Sequence, residues 1–65
     1  MKYQNRVAEY RKSKLTQVQL AGKAKISEVQ IQNIEYGKHA PNVYTAIRIA
    51  KALETTVEDL FNEKQ

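Results

Sequence analysis

Glu28, Val29, Gln32 and Asn33 put a carboxylate, a branched alkyl group and two primary amides within six consecutive positions. A primary amide offers a donor beside an acceptor, which complements the major-groove edge of adenine. Asn33 can pair with adenine in this two-bond fashion or bond a phosphate, and Gln32 has the same capacity one position round. Val29 can pack on a thymine methyl group. Glu28 can accept from N4 of cytosine, or it can serve simply as favourable negative charge at a helix N-terminus. Around these residues the chain carries 11 lysines and arginines against 7 acids, a net charge of +4 with a pI near 9.5. That balance favours a polyanionic partner without deciding the matter.

No comparable pattern points to catalysis. The sequence suggests no paired-carboxylate geometry, no nucleophile with a base and no glycine-rich phosphate loop, so no enzymatic activity is expected. Cysteine is absent and His39 is the one histidine, which argues against a metal site, a disulfide or thiol chemistry. No cofactor and no small-molecule ligand are expected. Apolar runs are too short for a signal peptide or a membrane span, which leads to the expectation of a cytoplasmic protein with no membrane partner.

These side chains need rigid elements to aim them. With 65 residues, 42% apolar and 28% charged, the chain is expected to fold as one globular domain over 1–65 rather than stay disordered. Apolar spacing is helical almost throughout. Val7 and Tyr10 mark a first helix near 4–13. Thr16 is an N-cap for a second helix carrying Leu20, Ala21 and Ala24 on one stripe. Ser27 caps a third, with Gln30 completing a capping box, Ile31 and Ile34 as the buried stripe, and Gly37 as a left-handed C-cap. After a loop punctuated by Pro41, Val43 to Leu53 is helical again, and a last helix runs from Thr56 through Val57, Leu60 and Phe61. The expected fold is all-α, with five helices around a core of Leu20, Ala21, Ile26, Ile31, Ile34, Ile49, Ala50, Leu53 and Leu60.

Between about 16 and 36, two of these helices are separated by only Ala24, Lys25 and Ile26. Helices joined so tightly must cross steeply, and Ala21 is the small residue that allows their close approach. This spacing is that of a helix-turn-helix, in which the second helix projects so that its outer edge can enter a major groove. Residues 28, 29, 32 and 33 lie off the buried Ile31/Ile34 stripe and so belong to that edge.

The run L-T-Q-V-Q-L-A-G-K-A-K-I-S-E-V-Q-I-Q-N-I-E-Y-G-K from Leu15 to Lys38 resembles the Cro/Xre family of lambda-repressor-like domains. The segment P-N-V-Y-T-A-I-R-I-A-K-A-L-E-T-T-V-E-D-L-F from Pro41 to Phe61 is similar to the fourth and fifth helices of that family. The resemblance implies a regulator, of repressor type, that binds double-stranded DNA. Lys25 stands where the family usually has a turn glycine, and the link into Thr16 is one residue shorter than usual. The family pairs a first-helix arginine with the glutamate matching Glu35, for which Arg11 is the nearest candidate.

By the same resemblance, Gln17 points its amide at a phosphate; a solvated glutamine is the plainer alternative. Thr16 and Ser27 stand at helix starts beside the backbone, and Lys25, with Lys12, Lys14 and Lys23, can add phosphate contacts. Lys38, His39 and Asn42 fall in the loop where the family touches backbone or minor groove. Tyr44 can reach back to the sugar-phosphate backbone or pack on the surface.

A lone domain this small reads too few base pairs to single out a site, so a homodimer on a palindromic operator is expected. The C-terminal third has apolar positions on more than one helix face, and Ile47, Val57 and Phe61 are the candidates for that interface. For Phe61 the alternative is that it seals the monomer core. The competing function is an antitoxin or co-regulator whose main role is to bind a partner protein. With four residues after Phe61, a segment that wraps such a partner and a ligand-sensing domain are not expected.

Overall fold

The computed structural model describes residues 4–61, which form five helices and, among the described residues, no strand. They are α1 (Val7–Lys12), α2 (Gln17–Ala24), α3 (Glu28–Tyr36), α4 (Val43–Ala52) and α5 (Val57–Phe61). The ends of the expected 1–65 domain lie outside the described residues.

The helix starts follow from side-chain oxygens that satisfy first-turn N–H groups. Ser27 Oγ accepts from Gln30 N–H at 3.1 Å while Gln30 Oε1 accepts from Ser27 N–H at 3.0 Å, the expected capping box. Thr16 and Gln19 form a second box of the same kind, at 3.1 and 2.9 Å. Asn42 caps α4 and Thr56 caps α5, each through a side-chain oxygen. Helix α1 is shorter than the expected 4–13 because its first turn is closed from Asn5, whose Oδ1 accepts from Val7 N–H at 3.0 Å. The fourth helix ends one residue before the expected Leu53, which becomes its C-cap.

The helix ends are closed by side chains from elsewhere in the chain. The last-turn carbonyls of a helix lack intrahelical donors. Arg48 Nε donates to Ala24 O at 2.7 Å, Asn5 Nδ2 to Ile34 O at 2.8 Å, and Lys14 Nζ to Leu53 O at 2.9 Å. Each contact ties the C-terminal end of α2, α3 or α4 to a different part of the chain. Arg6 N–H donates to Leu60 O at 2.8 Å, which joins the start of α1 to α5.

Leu20, Ile31, Ile49, Leu53, Leu60 and Val7 are fully buried, and Ala21, Ala24, Ile34 and Ala50 close the core around them. Each large aliphatic side chain removed from water contributes roughly 1.5–3 kcal/mol before chain entropy is counted. Ile26, expected inside, is only half-buried and packs on the edge of this core. No described helix is long and apolar enough to cross a membrane.

Candidate nucleic-acid interface

The turn that sets α3 against α2 runs through a strained lysine. Lys25 lies at φ 60°, ψ 42°, in the left-handed region, and its N–H closes on the carbonyls of Ala21 and Gly22. Ile26 N–H then donates to Ala21 O at 3.0 Å, so the chain leaves α2 in a left-handed cap of the kind that glycine usually makes. Ala21 is 5% exposed beneath this turn. At the other end of α3, Gly37 (φ 87°) makes the expected cap.

With Ile31 and Ile34 buried, the opposite edge of α3 stands in solvent. Glu28, Val29 and Gln32 are exposed, Val29 at 61%, and Asn33 is half-buried. Gln32 Nε2 lies 3.4 Å from Glu28 Oε2, one turn back on the same edge.

Two grooves border this edge. One, shallow and open to solvent, brings Lys12, Thr16, Gln17 and Val18 up to Glu28. The other, of about 310 Å³, sets Asn33 beside His39, Pro41 and Asn42. Most of the residues singled out from the sequence are thus collected on α3 and on both of its flanks. Ser27 and Lys38 adjoin the two ends of α3 and are exposed, and Tyr44 is exposed at the start of α4.

Several of these groups already have intramolecular work. Gln17 Nε2 donates to Glu35 Oε1 at 3.0 Å, so the amide expected to face outward is anchored inward by one of its two hydrogens. Glu35 also accepts from Arg11, through Nε at 2.5 Å and Nη2 at 3.1 Å, the pair that the resemblance implied. Asn42 Oδ1 is occupied as the cap of α4, and the same residue lines the groove beside Asn33 and His39. The hydroxyls of Thr16 and Ser27 act as cap acceptors and retain their own O–H donors.

The lysines divide. Lys12 lines the groove next to Thr16 and Gln17. Lys14, expected to be able to meet a phosphate, instead directs its ammonium at the Leu53 carbonyl and toward Glu54, 4.0 Å away. Lys23 shares a separate groove with Arg48, Lys51 and Glu54 at the C-terminal ends of α2 and α4, where cations complement the helix dipoles. Lys25 is exposed at that same end of α2.

Val18 is an exposed apolar residue beyond those expected from the sequence. It is 61% exposed, off the Leu20/Ala21/Ala24 stripe, and the reasoning that singled out Val29 applies to it equally. Of the candidate interface residues, Ile47 is 38% exposed, with Val43 more so on the same helix. Val57 and Phe61 are half-buried and pack against the core. Among the described residues no cluster of histidine, cysteine or carboxylate side chains is placed to hold a metal.

Comparison with known proteins gives consistent results. A family model described as helix-turn-helix matches residues 7–60. The chain is similar to the P22 c2 repressor in a structure with synthetic operator 9T, at 27% identity, with 91% of each chain covered and a TM-score of 0.84. It is similar to the N-terminal DNA-binding domain of SinR from Bacillus subtilis, at 26% identity, covering 92% of this chain and 90% of that one, with a TM-score of 0.81. The restriction-modification controller protein C.AhdI from Aeromonas hydrophila shares the fold, at 22% identity, 83% coverage of each chain and a TM-score of 0.78. No curated protein sequence matches the chain.

Proposed function

The chain belongs to the helix-turn-helix family, in its Cro/Xre, lambda-repressor-like branch, and from that premise we propose that it is a transcriptional repressor binding a palindromic operator as a homodimer. In this reading α3 enters the major groove. Gln32 and Asn33 pair with base edges there, Val29 packs on a thymine methyl group, and Glu28 accepts from an exocyclic amine. Thr16, Gln17, Ser27, Lys38, His39, Asn42 and Tyr44 hold the sugar-phosphate backbone on either side, with Lys25 a more distant contributor. Gln17 reaches its phosphate with the amide hydrogen that Glu35 does not take, helped by the open N–H groups that begin α2.

One observation carries this reading. The exposed edge of α3 is flanked by two grooves, and the polar groups lining them come from separate parts of the chain, Thr16 and Gln17 on one side and His39 and Asn42 on the other. A duplex has this same order, with base edges in the centre and a phosphate strand on each side.

Selection from a pool of random duplex DNA tests the proposal. The expected result is an inverted repeat whose half-site centres are about one helical turn, ~34 Å, apart. Recovery of the starting pool without enrichment, by a protein shown to be folded, contradicts it.

A further inference from the structure

Glu28 and Gln32 occupy successive turns of the outward edge of α3, and Gln32 Nε2 donates to Glu28 Oε2 at 3.4 Å. An amide can present either its N–H₂ or its carbonyl in a given direction, because rotation by half a turn exchanges them. A neighbouring carboxylate removes that freedom. It attracts the N–H₂ and repels the carbonyl oxygen, so one of the two orientations is selected. After the contact is made, an external partner is offered the second oxygen of Glu28, the remaining N–H of Gln32 and the Gln32 carbonyl.

We infer that Glu28 and Gln32 work as one composite reader of two adjacent base pairs, with Glu28 setting the amide orientation of Gln32. In that orientation Gln32 gives its N–H to N7 of adenine and accepts from N6. The free oxygen of Glu28 accepts from N4 of cytosine on the neighbouring pair. Guanine suits neither place: opposite the Glu28 carboxylate it presents only acceptors, and opposite Gln32 its N7 can take the N–H but its O6 meets the amide carbonyl where adenine would donate from N6. The carboxylate, unfavourable near phosphates in isolation, therefore gains a role in excluding sequences as well as in attracting one. This inference rests on the placement of α3 proposed above, but it has its own point of failure.

The test is parallel selection from random duplex DNA by the full chain, Glu28→Ala and Glu28→Gln, with circular dichroism confirming that each variant is folded. The wild type should enrich cytosine at one position and adenine at the next. Glu28→Ala should lose the cytosine and, in addition, lower discrimination of adenine over guanine at the adjacent position by about tenfold. Glu28→Gln keeps the shape but can donate or accept, so it should relax the adenine position too. An adenine preference unchanged in both variants overturns the coupling, as does a wild-type preference for guanine at either place. A wild-type chain that enriches no sequence overturns the placement of α3, and this inference with it.

Discussion

Arg11 on α1 and Glu35 on α3 face each other across two hydrogen bonds, with side chains only 12% and 8% exposed. Glu35 also receives the amide of Gln17, so one carboxylate holds together the first helix, the start of α2 and the helix proposed to read DNA. Arg11 in turn donates to Leu15 O at 3.1 Å, which fixes the link between α1 and α2.

Removing one member of this pair should therefore be costly. Arg11→Met leaves a nearly buried carboxylate with the Gln17 amide in place of a cation, and a loss of about 2–4 kcal/mol is expected in urea denaturation. Arg11→Met with Glu35→Leu should recover at least half of that loss, because the uncompensated charge is gone. A double variant less stable than Arg11→Met would contradict this account of the pair.

Two positions in the turn region carry residues that suit each other's places better. Lys25 holds a left-handed φ of 60°, whereas Gly22 lies inside α2 with open space where a Cβ would go. Lys25→Gly and Gly22→Ala should each stabilise the fold by about 0.5–1 kcal/mol, a rise of several degrees in Tm for a domain of this size. Calorimetry on the two variants decides it, and a lower Tm for Lys25→Gly would mean that the lysine side chain has a stabilising contact of its own.

Much of the architecture was legible because it depends on local chemistry. The Ser27/Gln30 box, the Gly37 cap and the Ile31/Ile34 stripe each involve residues three or four apart, and the structure has all of them. What escaped was long-range. Nothing in the sequence pairs Arg48 with Ala24, Asn5 with Ile34 or Lys14 with Leu53, since each contact spans 24 to 39 positions. For the same reason the inward contacts of Lys14 and Gln17 are not visible in the sequence. Val18 differs from these, because its departure from the apolar stripe is a local feature that the sequence itself displays.

The phosphate contacts proposed on both flanks of α3 should make binding strongly dependent on salt. With about four or five phosphates neutralised per subunit, a dimer should show log K falling against log salt with a slope of roughly −7 to −9. Fluorescence anisotropy between about 50 and 200 mM salt measures this, the range over which such contacts change affinity most visibly. A flat response would exclude the proposed backbone contacts.

The partly exposed Ile47, with Val43 beside it on α4, is the part of the proposed dimer interface that the monomer core leaves outside. Val57 and Phe61 can contribute only the portions not already packed inward. Ile47→Glu should remain folded, since Ala46, Ile49 and Ala50 keep α4 on the core, yet sediment as a monomer. Its operator affinity should fall about a hundredfold or more, as each half-site alone provides only the contacts of one small module. A wild-type protein that stays monomeric at high concentration and on a palindromic duplex would rule the interface out.

The proposed placement of α3 is tested most directly at Asn33, half-buried between the outward edge of α3 and the His39/Asn42 groove. The measurement is the sequence preference of Asn33→Ala beside that of the wild type and of Lys38→Ala, each selected from the same random duplex pool. Asn33→Ala should lose about 1–3 kcal/mol on the preferred operator and relax the base preference at one position, while Lys38→Ala weakens all sequences nearly alike. If Asn33→Ala binds with the wild-type preference intact at every position, α3 does not read DNA in the way proposed.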